Sequence, residues 1–229
     1  MTHFYRAARV VVRVVMRGLW DVRVEGEENV PREGPCVLAP NHQSALDPFL
    51  VQGACTRPVF TMTKSTQFSR GLFRWILPRG GAFPVRRYRT DPQAVRVLLR
   101  HLNQDRVVCV YPEGERTWDG EIGPFRRGTL RVLLRAGVPV VPVGIDGMYD
   151  IWPRWSSRPR LGLPVNVRFG KPILFGAYRE RAARESALPM AELRLREALL
   201  RLSGEAARKR ARRNDALEKS GRGGGAVPT

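Results

Sequence analysis

The chain is short of lysine, histidine and cysteine, and it has no long apolar run. Only four lysines stand among the 40 basic residues, so arginine carries nearly all of the net charge of +19. Genome composition also produces such a skew, so the charge assigns no particular partner. It restricts the partner to something anionic: nucleic acid, an anionic membrane surface or a phosphorylated substrate. The three cysteines (Cys36, Cys55 and Cys109) lie in apolar stretches without CxxC or metal-ligand spacing. That excludes a disulfide framework and a zinc site, and reads as buried thiols in a reducing compartment. No stretch reaches the roughly 18 uninterrupted apolar residues of a spanning helix. Of the three histidines, His3 is near the N-terminus and His101 sits in an Arg- and Leu-rich helical pattern, which leaves His42.

With 229 residues and 43% hydrophobic content, the chain is long enough for one domain with a sizeable core. Short apolar runs ending in polar loops alternate with helical patterns. "PCVLAPNH", "PVFTMTK", "GAFPVRR", "RVVCVYPEGER", "VPVVPVGIDG" and "PVNVRFGKPI" read as strands. "SRGLFRWILPRG", "TDPQAVRVLLRHLNQ", "RRGTLRVLLRAG" and residues 178–202 read as helices, with Asp91-Pro92 starting the second and Gly137 closing the third. This alternation predicts an α/β fold: a single domain with a mixed, largely parallel central sheet flanked by helices, plus an N-terminal amphipathic helix. The divisions expected are an N-terminal helix over 1–24, the domain over 25–202, and a basic, Gly-rich, disordered tail over 203–229.

In the N-terminal stretch "FYRAARVVVRVVMRGLW", arginines stand at 6, 9, 13 and 17. At about 100° per residue they fall within an arc of roughly 80°. The rest of the wheel is apolar. The charges and the missing small-residue cleavage site argue against a signal peptide. A basic stripe opposite a wide apolar face suits a helix lying in a membrane interface. The same pattern also suits a helix packed on its own domain with arginine facing water.

His42 stands in "NHQSALDP", five residues before Asp47. Two readings compete. Asp-Pro is a common helix start, with Asp as cap and Pro in the first turn. Alternatively, His and Asp form a catalytic pair. On a regular helix, positions five apart point about 140° away from each other, so the pair meets only if a turn lies between them. Two further strand ends carry reactive side chains: Arg86 and Arg87 after "GAFPV", and Glu113 and Arg116 after "RVVCVYP". In α/β sheets, ligands collect at such loops.

These blocks resemble, in order, those of the glycerolipid acyltransferases, in particular the 1-acylglycerol-3-phosphate (lysophosphatidate) type. Asn41, His42 and Asp47 match its Asn-His-x4-Asp block. "GGAFPVRR" matches a Gly-rich strand ending in Arg, with Arg87 the better-aligned of the two. "YPEGERT" matches an aromatic-Pro-Glu-Gly segment with Arg116 two residues after Gly114, and a basic "PFRRG" follows. "VVPVGIDG" matches an apolar strand containing proline. The resemblance covers roughly residues 25–175. One departure is Glu115, where the family has a small Thr or Ser. A second negative charge there weakens phosphate binding or marks a different acceptor head group.

The resemblance implies an acyltransferase, and the residue chemistry agrees. A neutral imidazole with a reference pKa of about 6.5 suits deprotonation of an attacking hydroxyl. A carboxylate on the other ring nitrogen fixes the tautomer and stabilises the imidazolium. His42 is therefore expected as base and Asp47 as its orienter. With no GxSxG elbow present, the nucleophile is the substrate's own hydroxyl. Arg87 and Arg116 are expected to bind the acceptor phosphate through their planar forks, with Arg86, Arg127 and Lys64 secondary. Glu113 and Gly114 complete the expected acceptor site. No metal or cofactor is expected; acyl-CoA or acyl-carrier protein is the co-substrate. The acceptor implied is a lysophospholipid, most simply 1-acylglycerol-3-phosphate, with glycerol-3-phosphate or another lysolipid as alternatives. The expected location is the cytoplasmic face of the cell membrane, against an anionic surface. The rival reading is a nucleic-acid-binding protein, resting on net charge and "RKRARR" at 208–213. It lacks zinc spacing, an aromatic RNA signature and a clear helix-turn-helix, so no nucleic-acid partner is expected.

Overall fold

A computed structural model describes residues 3–69, 71–86 and 91–205. In chain order the elements are α1 (His3–Leu19), β1 (Asp21–Glu25), β2 (Cys36–Pro40), α2 (Asp47–Ala54), β3 (Val59–Lys64), α3 (Phe73–Arg79), β4 (Ala82–Val85) and α4 (Pro92–Leu102). Then follow β5 (Val107–Cys109), α5 (Arg127–Ala136), β6 (Val140–Asp146), α6 (Met148–Ile151), β7 (Pro164–Phe169) and α7 (Arg181–Leu202).

The most apolar runs occupy the middle of the sheet. All of β2 and β5 and the first six residues of β6 are buried. Strands covered on both faces lose the alternation of a half-exposed strand and read as continuous apolar runs. The described strands run in the order β1-β7-β6-β2-β5-β3-β4. Only the β6–β7 pairing is antiparallel. The sheet is thus mixed and largely parallel, as the alternation of elements predicts. β1 is different. Its "DVRVE" is an edge strand with no buried residue, and it lies inside the 1–24 span read as N-terminal helix. That helix ends at Leu19, and the sheet begins at Asp21. Two valines in a charged pentapeptide are too little apolar signal to mark a strand.

Each face of the sheet has its own core. One is packed by Met16 of α1, Leu50 and Val51 of α2, and Met148 and Ile151 of α6. The other is packed by Leu98 and Leu102 of α4, Leu130, Leu133 and Leu134 of α5, and Leu195 and Leu199 of α7. His101 belongs to this second side. It stacks on Phe60 with centroids 4.3 Å apart, and its Nδ1 lies 3.0 Å from Arg106 Nη1. Burial, reinforced by Arg106, lowers its pKa. It is a half-buried histidine packed between aromatic rings at the edge of that core. All three cysteines are buried and free. Burial pushes the Cys36 thiol up to about 12 and raises the other two.

α1 sits on the domain differently from the expectation that its four arginines face outward. Arg9 Nη2 donates to the carbonyls of Cys55 (2.5 Å) and Thr56 (3.1 Å), and Arg13 stands 3.8 Å from Glu27. Tyr5, Met16 and Trp20 are buried beside them. The helix therefore turns part of its basic stripe inward, because carbonyls and a carboxylate wait there. Its valines are left outside: Val10, Val11, Val14 and Val15 are 61%, 59%, 65% and 47% exposed.

At the other end, Ser203 and Glu205, read as the start of the tail, are buried. The Glu205 carboxylate accepts from the Ile122 N–H at 2.8 Å. Residues 206–229, including the basic run, lie outside the described residues. The last turn of α7 crosses β6 at Gly144, where a Cβ would overlap the backbone of Leu202. Gly144→Ala should cost about 3 kcal/mol, at the upper end for overpacking, because backbone rather than a flexible side chain must move. A urea denaturation midpoint lowered at unchanged slope would check this; an unchanged midpoint would mean that the close approach is not tight.

Candidate active site

β2, β3, β4 and β5 are parallel neighbours, so their carboxyl ends and the loops after them share one edge of the sheet. Asn41, just past β2, bonds β6 through both of its amide atoms. Its Nδ2 donates to the Ile145 carbonyl (2.9 Å) and its Oδ1 accepts from the Ile145 N–H (2.7 Å). This side chain continues the ladder where β2 has ended. The chain is thereby free to turn, and residues 43–46 lead into α2.

That turn brings the i, i+5 pair together. His42 Nδ1 lies 2.8 Å from Asp47 Oδ2. The same oxygen accepts from the N–H groups of Gln43 (2.6 Å) and Ser44 (2.8 Å). The helix-cap reading of Asp47 fails here. Asp47 is the first residue of α2 and Leu46 precedes it with helical dihedrals and no side-chain cap bond. The carboxylate folds back over the turn instead of forward onto the helix. Asp47 is fully buried and His42 nearly so. With Nδ1–H donated to Asp47, the neutral ring carries its lone pair on Nε2.

The loop after β5 grips His42 from the other side. Glu113 Oε1 accepts from the His42 N–H and Oε2 from the Gly123 N–H, both at 2.9 Å. The His42 carbonyl accepts from the Thr117 N–H at 2.8 Å. Tyr111 stacks on the imidazole, with centroids 4.0 Å apart and planes 28° from parallel. Glu113 is buried, and burial is the main reason that its pKa rises to about 7. The two N–H donors oppose that rise, and Asp47 adds to it. Glu113 was expected in the acceptor site; its two oxygens are engaged by the backbone N–H groups of His42 and Gly123.

The arginines sort into three groups. Arg116 is half-buried; burial and then Arg154 lower its pKa, while the charge of Asp47 raises it. It therefore lies within the field of the dyad. Arg86 and Arg127 line a cavity of about 580 Å³ together with Gly114, Arg126, Arg131 and Tyr111. Arg127 is also paired with Glu185 at 3.3 Å. Lys64 ends β3 opposite Val85, and that strand reaches the cavity through Met62. Arg87 lies outside the described residues. Gly114 has φ +73°, and a Cβ there would stand 2.9 Å from Arg126 Cγ. A side chain at 114 would be strained and would push Arg126 off the cavity wall.

Residues 21–146 match the Acyltransferase family, from the start of β1 to the end of β6. The chain belongs to that family. The chain is similar to the 1-acyl-sn-glycerol-3-phosphate acyltransferase of Pseudomonas aeruginosa, 32% identical over 162 residues, which is 67% of this chain and 60% of that one. The human 1-acyl-sn-glycerol-3-phosphate acyltransferase alpha is 32% identical over 165 residues, 68% of this chain and 56% of its own. The chloroplastic enzyme of Brassica napus is 31% identical over 153 residues, 66% of this chain and 44% of its own. The chain thus spans about half the length of the curated relatives it matches. The crystal structure of the 1-acyl-sn-glycerophosphate (LPA) acyltransferase of Thermotoga maritima shares the fold, with a TM-score of 0.66 at 22% identity over 84% of this chain and 79% of that one.

Several residues of the site went unread in the sequence. Arg131 and Arg135 follow the expected Arg127 at intervals of four and share its face of α5, a signal present in "RRGTLRVLLRAG". Arg126 is adjacent to an expected residue and is the one that reaches back to the Glu113 carbonyl (3.2 Å). Arg154 and Arg184 arrive from distant segments, and nothing local marks them.

Glu113 supplies a pH test. Its folded pKa of about 7 lies above the ordinary 4.5. Its contribution to stability is therefore full below about 4.5 and is lost as pH rises through 7, to an extent of about 3 kcal/mol. The stability advantage of wild type over Glu113→Gln should shrink across that window, read from thermal midpoints of both proteins. A constant difference would mean that Glu113 does not titrate there.

Proposed function

We propose that the protein transfers a fatty acyl group from acyl-CoA or acyl-carrier protein to the free hydroxyl of 1-acylglycerol-3-phosphate, giving phosphatidate for phospholipid synthesis. The observation that carries this reading is the buried His42–Asp47 contact of 2.8 Å beside an arginine-lined cavity. The acceptor hydroxyl attacks the thioester carbonyl carbon as His42 Nε2 takes its proton. Asp47 stabilises the imidazolium that results. The tetrahedral intermediate then breaks its C–S bond, and the thiolate leaves with the proton from His42. Arginines on the cavity wall hold the acceptor phosphate away from the reacting carbon. Their planar forks bind two oxygens each.

Both dyad residues can be tested. His42→Ala removes the base, and Asp47→Asn keeps an oxygen for the turn while removing the charge. Each should lower kcat by roughly 10³-fold or more, with the thermal midpoint monitored to exclude unfolding. Near-normal rates for Asp47→Asn would make the pair structural. The assay should use acyl-CoA with 1-acylglycerol-3-phosphate, glycerol-3-phosphate and other lysolipids. Preference for another acceptor would keep the chemistry and change the product.

The same proposal includes a membrane surface. Among the described residues no helix is long and apolar enough to cross a membrane. The exposed valines of α1 favour a helix lying in a membrane interface, which the proposal puts at the cytoplasmic leaflet. α3 extends that face. None of its residues is buried, and Leu72, Phe73 and Trp75 are 71%, 48% and 60% exposed. The turn that follows α3 lies against α1 at Gly81, where a Cβ would stand 3.3 Å from the Tyr5 ring. Neither 1–20 nor 64–86 contains an acidic residue, which suits anionic head groups and disfavours pairing with a second copy. Replacing Val10, Val11, Val14 and Val15 with serine should weaken binding to phosphatidylglycerol vesicles at least about tenfold. Activity on vesicle-embedded acceptor should fall in parallel, and activity on detergent-dispersed acceptor should survive. Unchanged vesicle binding would reject α1 as the contact.

A further inference from the structure

Glu115 stands where the family pattern has Thr or Ser, between Gly114 on the cavity wall and Arg116 beside the dyad. Its carboxylate bridges two guanidinium groups. Oε1 lies 2.5 Å from Arg126 Nη2, and Oε2 lies 3.6 Å from Arg154 Nη1. Neither arginine needs Glu115 to hold its position. Arg126 Nε donates to the Glu113 carbonyl at 3.2 Å. Arg154 Nη1 donates to the Arg116 carbonyl at 3.1 Å, and its guanidinium lies 3.4 Å from the centre of the Trp118 ring. Backbone and aromatic contacts thus place two cations, and a carboxylate spans them.

We infer that Glu115 is a specificity-determining residue: its carboxylate is a built-in competitor for the acceptor's phosphate monoester at Arg126 and Arg154. The inference rests on the acceptor assigned above. A carboxylate and a phosphate monoester both offer two oxygens to a guanidinium fork. The phosphate brings more charge, so it can take Arg126 from Glu115. The exchange is inexpensive because Arg126 lines the cavity and the pair is reached by solvent, with the Glu115 and Arg126 side chains 27% and 48% exposed. Water screens it there and receives the released carboxylate. Arg154 keeps Glu115 on its far side while Arg126 turns to the substrate. The crowding of cations fits this arrangement: Arg154 is close enough to Arg116 to lower its pKa, second only to burial. A carboxylate among three guanidinium groups lowers the local potential and so raises the threshold for binding an anion. A small hydroxyl residue at 115 removes the carboxylate from both guanidinium groups.

Glu115→Thr and Glu115→Gln test this in the full chain. Isothermal titration with inorganic phosphate should give about fivefold tighter binding in both variants, the scale of releasing one half-exposed ion pair. KM for 1-acylglycerol-3-phosphate should fall by a similar factor, KM for acyl-CoA should hold, and the gain should shrink in high salt. Phosphate affinity that is unchanged or weaker in both variants would overturn the competitor role and leave Glu115 as a brace for the arginines. A fall in KM for acyl-CoA alone would overturn the inference by assigning the arginine pair to the donor. If wild type and variants all fail to bind phosphate, the acceptor site itself is wrong, and the inference falls with it.

Discussion

Three N–H donors converge on one buried oxygen, Asp47 Oδ2, and the rest of the site is arranged around that convergence. The backbone groups of Gln43 and Ser44 close the turn, and the imidazole of His42 is held by the same atom. A fully buried carboxylate is costly to desolvate unless charge-assisted hydrogen bonds compensate it. Here the compensation and the geometry of the His42–Asp47 pair come from one set of bonds. The turn cannot open without stranding the carboxylate, so ring orientation is tied to the stability of the loop. Asn41 on one side and Glu113 on the other fasten that loop to β6 and to the segment after β5.

The chain carries 40 basic residues against 21 acidic ones, and the scarce acids are placed with effect. Asp47 holds the His42 ring, Glu113 clamps the His42 backbone, Glu115 spans two arginines and Glu205 ties the segment after α7 to the Ile122 N–H. The arginines divide by what they meet. Arg9 and Arg57 donate to backbone carbonyls and hold segments together. Those at the cavity line a wall with an apolar floor of Met62, Val85, Val95, Val110 and Val132. A cavity with cationic walls and an apolar base fits a ligand that has both an anionic head and a hydrocarbon part.

Two exposed apolar surfaces, on α1 and α3, remain unusual for a protein so rich in charge. Scattered exposed apolar residues are ordinary, but contiguous ones mark contact sites. α3 is seven residues long and buries none of them. A helix that short is marginal alone in water, so its stability here depends on the strands that bracket it and on whatever covers its outer face.

The sequence by itself determined the architecture and the chemistry of single blocks. Continuous apolar runs marked the central strands, the helical periodicity marked α4, α5 and α7, and "NHQSALD" with "YPEGER" named the dyad and its loop. These signals are local, and burial on both sheet faces writes them directly into composition. β1 stayed hidden because an edge strand of charged residues carries little of that signal. The tertiary structure alone decided the rest. It directed the Asp47 carboxylate back over the turn rather than along α2, since only the fold brings two N–H groups and a ring to one point. It turned Arg9 and Arg13 inward and the valines of α1 outward, because the carbonyls of residues 55 and 56 and the carboxylate of Glu27 lie on that side. It brought Arg154 to Glu115 across 39 positions of chain. A helical wheel records which residues share a face; the neighbours that a face will meet belong to the packing of remote segments.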